Sequence, residues 1–294
     1  MAHESSTALN DANAVQGARS AEAGRAAVSS GEAAPATEPG SDVPLLRLRN
    51  VYKSFGAVQA LRGVDLDIPA GQVTALVGDN GAGKSTLIKI ISGIYAPDDG
   101  ELFWQGEPVH IRTPREATDL GVQTVYQDLA LCDNLDIVAN MFLGREPTRR
   151  LLLQESDMEV TAKKTLSDLS VTTVRSIRQP VGSLSGGQRQ AVAVARAVMW
   201  EAKLVIMDEP TAALGVAQTA MVLELINELA RRGIAVLLIS HNLNDIFAVA
   251  DRIAVLYLGR MAVSGPASRF DTQTTVEWIT TGSGVDQPVK AGTS

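Results

Sequence analysis

A glycine-rich turn constrains this chain more than any other feature of its sequence. Residues 78–86 read Gly-Asp-Asn-Gly-Ala-Gly-Lys-Ser-Thr and match the pattern G-x-x-x-x-G-K-[ST] in full. The apolar run 73–77 predicts a buried strand before the turn, and the spacing of Leu87, Ile88 and Ile91 predicts a helix after it. In such a unit the backbone N–H groups and the helix dipole point at one place, which suits a phosphate group. We therefore predict nucleotide binding.

The residues within this turn have different roles in holding a nucleotide. The glycines allow a tight path that a Cβ atom would obstruct. The Lys84 side chain can reach the terminal phosphates, and the Ser85 hydroxyl can bind Mg²⁺. The residues expected to contact the nucleotide are Gly78, Asp79, Asn80, Gly81, Ala82, Gly83, Lys84, Ser85 and Thr86.

Composition excludes several other classes of protein. Hydrophobic residues at 45% and charged residues at 20% are typical of a folded domain with a sizeable core. The net charge of −7 argues against general nucleic-acid binding, so no nucleic-acid partner is expected. The single cysteine, Cys132, excludes an internal disulfide and a multi-cysteine metal site, and we interpret it as a packing residue. No apolar run reaches the ~18 residues of a membrane span.

The two ends of the chain differ in composition from its middle. Residues 1–43 are rich in Ala, Ser, Gly and Glu and hold few large apolar side chains, which predicts a disordered extension without a signal peptide. We predict one folded domain over residues 44–282 and a flexible tail over residues 283–294. We expect a cytosolic protein whose membrane role, if it has one, comes through a partner.

Acidic side chains follow a predicted central strand. The apolar run 204–207 is typical of a buried parallel strand, and Asp208 and Glu209 come directly after it. Ligands of open α/β sheets bind at the carboxyl ends of strands. Asp208 can hold Mg²⁺ through water opposite Ser85, and Glu209 is placed to orient and polarise the water that attacks a γ-phosphate.

Two further polar residues end predicted strands. The strand predicted over residues 122–126 ends at Gln127, and the strand predicted over residues 234–239 is followed by Ser240 and His241. A lone histidine is more often structural than functional. Because His241 follows a core strand on the side where the other polar groups lie, we interpret it as a contact to the γ-phosphate or to the attacking water.

A second glycine-rich turn begins a helix far along the chain. Residues 184–188 read Leu-Ser-Gly-Gly-Gln and lead into an Ala/Val-rich helix. Ser185 is a good N-cap and the glycine pair is expected to leave the helix start bare, so the segment predicts a second anion site. A glycine pair by itself indicates only a flexible turn. Two anion sites so far apart in sequence suggest that two surfaces grip one nucleotide.

The leading strands and the long middle segment complete the prediction. Strands are predicted over residues 45–51 and 61–68, and Tyr52 beside them could stack on an adenine ring or be an ordinary half-exposed tyrosine. Lys84 and Asp208 are separated by far more than the ~30 residues of one strand–helix–strand unit. The core must therefore carry a large insertion, which is predicted to be mostly helical.

Together these motifs resemble the ATPase subunits of ATP-binding cassette transporters. The phosphate loop, Gln127, the Leu-Ser-Gly-Gly-Gln segment, Asp208–Glu209 and His241 occur in the order of that family. The resemblance covers about residues 45–282. It implies an α/β fold with a RecA-like P-loop NTPase core and an N-terminal antiparallel β subdomain. It also implies a helical subdomain over about residues 130–190 that carries the Leu-Ser-Gly-Gly-Gln segment.

The resemblance also implies how the residues act. Two copies would pack head to tail around two ATP molecules with Mg²⁺. Tyr52 would stack on adenine, Gln127 would sense the γ-phosphate and the metal, and His241 would stabilise the transition state. Glu209 and Lys84 would be the other catalytic residues. The segment of one copy that would contact the ATP bound by the other is Ser185, Gly186, Gly187 and Gln188.

A narrower resemblance concerns the transported cargo. Residues 124–131, 134–140 and 142–146 are similar to bacterial importers of ribose-, xylose- and fructose-like sugars, and the single cassette resembles members that form homodimers. This implies monosaccharide uptake through separate permease subunits, an indirect partnership with an extracytoplasmic sugar-binding protein, and a peripheral position at the cytoplasmic face of the inner membrane. Another cargo, such as amino acids or a lipid, and a soluble cassette acting on ribosomes or chromosomes are the alternatives. Gly215 stands where many members of the family have Asp.

Overall fold

The computed structural model describes residues 43–149, 152–171 and 174–283. The predictions made for the first 42 residues and for residues 284–294 lie outside these ranges. The strands are β1 (Leu46–Phe55), β2 (Val58–Ile68), β3 (Val73–Val77), β4 (Asp99–Trp104), β5 (Glu107–Val109), β6 (Val122–Val125), β7 (Thr148–Arg149), β8 (Leu152–Leu153), β9 (Leu204–Asp208), β10 (Ala235–Ile239), β11 (Arg252–Tyr257) and β12 (Arg260–Pro266). The helices are α1 (Lys84–Ile91), α2 (Pro114–Leu120), α3 (Ile137–Phe142), α4 (Glu155–Asp168), α5 (Gly186–Val198), α6 (Val216–Arg231), α7 (Leu243–Val249) and α8 (Thr272–Thr281).

The central sheet has the strand order β12-β11-β3-β10-β9-β6. All its neighbouring pairs are parallel except β11 with β12, which form an antiparallel hairpin. The central strands β3 and β10 are buried along their whole length, because α5 and α6 pack on one face of the sheet and α1, together with the strands β1, β2 and β4, packs on the other. The strands β3, β10, β9 and β6 therefore all end at one edge of the sheet. This arrangement confirms the predicted α/β class.

A second, antiparallel sheet has the order β2-β1-β4-β5 and confirms the predicted antiparallel subdomain. Its inner side chains share one core cluster with the central sheet, including Leu46, Leu66 and Leu256. The strands β1 and β2 extend further than predicted, to a tight turn after Phe55. Register shifts near Tyr52 and between Lys53 and Ser54 interrupt the alternation that marks a strand in the sequence.

The helical insertion confirms the expectation of a long helical segment after β6, with one difference. A two-stranded hairpin, β7 with β8, lies between α3 and α4. Arg178 then ties the end of the insertion to its start, because its guanidinium bonds Asp136 at the N-terminus of α3 and Glu159 on α4. Within the described ranges, no helix has both the length and the apolar composition of a membrane span.

Helix α7 is absent from the sequence-based prediction. It begins after Asn242, whose side chain accepts a hydrogen bond from the N–H of Asn244, and it buries Ile246 and Val249. Seven residues make only two turns, which is too short for a helical period to stand out. The helix matters for the site because it starts two residues after His241.

Candidate nucleotide-binding and hydrolysis site

Polar residues predicted at four separate places converge at one edge of the central sheet. The phosphate loop follows β3, Gln127 follows β6, Asp208 ends β9 with Glu209 directly after it, and His241 follows β10. Because these strands are parallel neighbours in the order β3-β10-β9-β6, their carboxyl ends lie side by side. The sheet thus brings the candidate catalytic residues next to the candidate phosphate site.

The phosphate loop takes a path that only glycine permits at two positions. Gly78 has φ of 155° and a Cβ there would clash with the carbonyl oxygen of Leu256 in β11. Gly83 has φ of 108°, and its Cβ would lie 2.7 Å from the carbonyl oxygen of Ala60 in β2. The loop is therefore held between the two sheets. Gly83 also provides no side-chain cap to α1, so the first N–H groups of this helix are available to an anion.

Lys84 folds back over the loop that precedes it. Its Nζ donates hydrogen bonds to the carbonyl oxygens of Gly78, at 2.7 Å, and of Asp79, at 3.0 Å. Burial lowers the pKa of Lys84, and the negative charges of Glu209, Asp79 and Asp208 oppose this shift. The ammonium group therefore lies among carboxylates at the mouth of the loop, where it can neutralise a phosphate.

Glu209 and His241 form a direct pair. Glu209 Oε2 lies 2.9 Å from His241 Nδ1, and the Glu209 N–H donates to the carbonyl oxygen of Ile239 at 2.9 Å. The Glu209 side chain is 17% exposed, whereas that of His241 is 80% exposed. The carboxylate is thus held in a fixed orientation with one side open to solvent, which is the arrangement that a water-activating base needs.

The donors expected to hold a metal suit Mg²⁺. The Ser85 hydroxyl, the Gln127 amide and the Asp208 carboxylate are hard oxygen ligands, which Mg²⁺ prefers together with water and phosphate oxygens. No group of three or more His, Cys, Asp or Glu side chains among the described residues could hold a metal alone. Burial and the nearby Glu209 charge raise the pKa of Asp208, so a cation here would relieve a disfavoured negative charge.

This electrostatic conflict predicts a stability effect. We expect Asp208→Asn to raise the melting temperature of the nucleotide-free protein at neutral pH, because the folded state penalises the ionised carboxylate. A folded-state pKa above the unfolded value gives a penalty that is complete above the folded-state pKa and vanishes below the unfolded-state pKa. Thermal unfolding of both proteins from pH 7 to pH 3 should show the difference shrink as the pH falls. A difference that persisted unchanged to pH 3 would contradict this explanation.

The second glycine-rich turn forms a capped helix start. Ser185 Oγ accepts a hydrogen bond from the N–H of Gln188 at 3.3 Å, and the Gln188 side chain accepts one from the N–H of Ser185 at 3.0 Å. Ser185 is therefore the N-cap of α5, as predicted, and its side chain is exposed. The exchange of two hydrogen bonds is a capping box, which fixes the direction of the chain at this point.

The glycine pair of this turn is not bare, contrary to expectation. A Cβ on Gly186 would lie 2.7 Å from Leu214 Cδ2, and one on Gly187 would lie 2.6 Å from Met221 Cε. Both glycines therefore let α5 approach α6 and the loop before it closely. Gly215, the N-cap of α6, has no atom within 4 Å of where its Cβ would be, so an aspartate would fit there sterically.

Two aromatic side chains of β1 are candidates for contact with adenine. Tyr52 is half-buried, and its hydroxyl lies 2.9 Å from where a Cβ on Gly63 would be, so its ring lies against β2. Phe55 is 43% exposed at the end of the same strand, with its ring edge toward Tyr95. Phe55 was not among the residues predicted from the sequence to bind the nucleotide. Phe55 lies at the turn between β1 and β2, and β2 contacts the phosphate loop through Ala60. This position is the signal that identifies Phe55.

Arg196 is a further residue that the sequence analysis did not single out. It lies on α5, and its guanidinium donates hydrogen bonds to the carbonyl oxygens of Leu129, at 3.0 Å, and Ala130, at 2.9 Å. These two residues belong to the loop that Gln127 begins. Burial lowers the pKa of Arg196, and the two carbonyl oxygens accept hydrogen bonds from its guanidinium. A charged residue within an otherwise Ala/Val-rich helix was the available sequence signal.

Comparison with known proteins agrees with this geometry. The family described as "ABC transporter" matches residues 61–212. The chain is 52% identical to the xylose/arabinose import ATP-binding protein of Sulfolobus acidocaldarius, over 74% of this chain and 86% of that protein. It is 50% identical to the fructose import ATP-binding protein of Rhizobium meliloti, over the same shares of the two chains.

A solved structure is similar in fold. It is an ATP-binding cassette in a dimeric, post-hydrolysis state with ADP and phosphate bound, and it is 26% identical with a TM-score of 0.63. The similarity covers 76% of this chain and all of that one. With the family match, these relatives and the motifs gathered at one sheet edge, the chain belongs to the ABC transporter family as an ATP-binding, ATP-hydrolysing cassette.

Proposed function

We propose that this chain powers the import of a monosaccharide by hydrolysing ATP to ADP and phosphate at the edge of its central sheet. The observation that carries the catalytic part is the Glu209–His241 pair, which lies beside the phosphate loop with one side open to solvent. Sugar as the cargo rests on the relatives, whose names assign them to xylose, arabinose and fructose import.

In this mechanism each residue acts on one part of the triphosphate. The loop N–H groups and Lys84 hold the β- and γ-phosphates and offset their charge. The Glu209 carboxylate accepts a hydrogen bond from the attacking water and takes its proton as the water oxygen bonds to the γ-phosphorus. The bond between that phosphorus and the bridging oxygen breaks in the same step, and ADP leaves with the bridging oxygen. His241 orients that carboxylate and contacts the γ-phosphate.

Mg²⁺ would be held by Ser85 and Asp208, with Gln127 as a further ligand. When bound, Mg²⁺ supplies positive charge that stabilises the oxygens of the phosphates in the transition state. Gln127 would then report the presence of the metal and the γ-phosphate to the loop that follows it. Arg196 anchors this loop to α5, the helix that has Ser185 as its N-cap.

The active form proposed is a head-to-tail dimer of two copies. In it, Ser185, Gly186, Gly187 and Gln188 of one copy contact the γ-phosphate held by the loop of the other. The exposed Ser185 hydroxyl and the dimeric state of the related cassette with ADP and phosphate support this arrangement. A helix N-terminus offers N–H groups and a favourable dipole to a phosphate, as the phosphate loop does.

The partners proposed are two permease subunits in the membrane, with an extracytoplasmic sugar-binding protein acting indirectly. The cassette would then sit at the cytoplasmic face of the inner membrane. The test is affinity purification of tagged protein from detergent-solubilised membranes, followed by mass spectrometry. Recovery of a multi-span sugar permease supports the proposal. Recovery of an amino-acid or lipid permease would assign a different cargo. Recovery of ribosomal or chromosomal proteins alone would contradict a transport role.

The adenine contact leads to a separate prediction. Tyr52 and Phe55 are both proposed as stacking residues, and the greater exposure of Phe55 favours the larger effect there. We expect Phe55→Ala to weaken ATP binding about tenfold, since stacking on one base contributes about 1–3 kcal/mol. Equilibrium binding of ATP should be compared with that of inorganic triphosphate, which has no base. Equal losses for both ligands would contradict stacking, and a larger loss in Tyr52→Ala would assign the contact to Tyr52.

A further inference from the structure

The loops that carry Glu209 and His241 are joined by a second side-chain contact. Thr211 Oγ1 donates a hydrogen bond of 2.6 Å to Asp245 Oδ2. Thr211 lies two residues after Glu209, and Asp245 lies four residues after His241, in the first turn of α7. Asp245 is 7% exposed, so this is a nearly buried carboxylate. Among the described residues, the side chains of the two loops are therefore joined by this bond in addition to the Glu209–His241 contact.

The backbone hydrogen bond from the Glu209 N–H to the carbonyl oxygen of Ile239 holds the start of the Glu209 loop against β10, but the His241 imidazole has little support of its own. The His241 side chain is 80% exposed, so packing does not hold it in place. Its position depends on the short loop between β10 and α7, in which the Asn242 N–H donates to Ser240 Oγ. A contact that holds the start of α7 against the Glu209 loop therefore also sets the distance between the His241 imidazole and the Glu209 carboxylate.

The Glu209 loop itself is in a conformation that needs outside support. Glu209 has φ of 51° and Ala213 has φ of 59°, both in the left-handed region that residues with a Cβ rarely adopt. Such residues persist only where surrounding contacts determine the backbone path. Thr211 lies midway between them, and its hydroxyl makes the contact from this stretch to α7.

We propose that Asp245, through Thr211, is the positioning residue that sets the Glu209–His241 contact for ATP hydrolysis. The proposal rests on the hydrolytic role proposed above for that pair. The side-chain hydrogen bond of Thr211 and Asp245 joins these two residues to each other and not to the phosphate loop, so it should act on the chemical step and leave ATP binding alone. Without the Thr211–Asp245 bond, the Glu209 loop and the start of α7 can move apart. The exposed His241 imidazole then no longer keeps its contact with the Glu209 carboxylate.

The experiment is a kinetic comparison of Thr211→Val with Thr211→Ser. Valine keeps the shape of threonine and removes the hydroxyl, whereas serine keeps the hydroxyl. We expect Thr211→Val to lower kcat about tenfold with KM for ATP within about twofold of the parent, the rate effect of losing one hydrogen bond to a charged group. Thr211→Ser should stay within about threefold of the parent in kcat. Asp245→Asn, whose amide oxygen can still accept from Thr211, should likewise fall less than Thr211→Val.

A second background separates positioning from general damage to the fold. Thr211→Val should lower kcat in the parent protein and have no further effect in His241→Ala, because the bond acts through His241. All rates are measured with saturating ATP and Mg²⁺ well below the melting temperature of each variant. An equal loss in both backgrounds, equal rates for Thr211→Val and Thr211→Ser, or parent activity in Thr211→Val would overturn the inference while leaving the ATPase assignment intact. If His241→Ala alone hydrolysed ATP at the parent rate, the proposed role of His241 would fail, and this inference with it.

Discussion

Glu209→Gln is expected to lower the rate of ATP hydrolysis by roughly 10²- to 10⁴-fold, the range that a positioned general base contributes. Glutamine has almost the same shape as glutamate and can keep the contact with His241 Nδ1, which lies 2.9 Å from Glu209 Oε2 in the parent protein. It cannot take the proton of the attacking water. ATP should still bind near its parent affinity, because the phosphate loop and Lys84 are unchanged.

The measurement pairs phosphate release with equilibrium binding of ATP. Glu224→Gln is the matched control, since it makes the same chemical change on the exposed face of α6, where the side chain is 68% exposed. This control should hydrolyse ATP at the parent rate, because an exposed ion pair contributes little. Parent-like hydrolysis by Glu209→Gln would show that another residue is the base.

Lys84→Ala is expected to have the second large effect, through both binding and catalysis. Removing the ammonium group leaves Mg²⁺ as the remaining positive charge proposed at the phosphates, and we expect kcat/KM for ATP to fall by roughly 10²- to 10³-fold. The change also acts on the metal site, because the positive charge of Lys84 lowers the pKa of Asp208 against the effect of burial. Without Lys84 the pKa of Asp208 should rise further, and Mg²⁺ should then bind less well at mildly acidic pH.

Titration of the ATPase rate against Mg²⁺ at two pH values tests both parts. The matched control is Lys89→Ala, a lysine five residues further along α1 whose ammonium lies over the Tyr95 ring, away from the loop. Lys89→Ala should keep the parent kcat/KM. A Lys84→Ala protein with parent kcat/KM would mean that the loop N–H groups alone hold the triphosphate.

The central sheet and its site could be predicted because their signals are local. Each buried parallel strand appears as a continuous apolar run, and the polar residue after each run lies at the ligand-binding edge. Parallel order then brings Gln127, Glu209 and His241 together although they are far apart in sequence. The carboxyl-end rule therefore needed no knowledge of side-chain contacts.

The parts that could not be predicted depend on contacts between distant segments. The hydrogen bonds of Thr211 with Asp245 and of Arg196 with Leu129 follow no local pattern. The reason for the glycine pair at Gly186–Gly187 was also misjudged, because only the packed structure reveals the side chains of α6 against it. Short elements such as α7 were missed because two turns do not establish a period.

ATP hydrolysis by this chain is proposed to require two copies that close around ATP. Light scattering of the Glu209→Gln protein with and without ATP and Mg²⁺ tests this claim, with Glu209→Gln/Ser185→Arg as the comparison. We predict the mass of one 31.1 kDa chain without ATP and of two chains with ATP, with one nucleotide retained per chain. The double variant should bind ATP and keep the mass of one chain. A Glu209→Gln protein that binds ATP and stays a single chain, or a double variant that pairs equally well, would contradict the account.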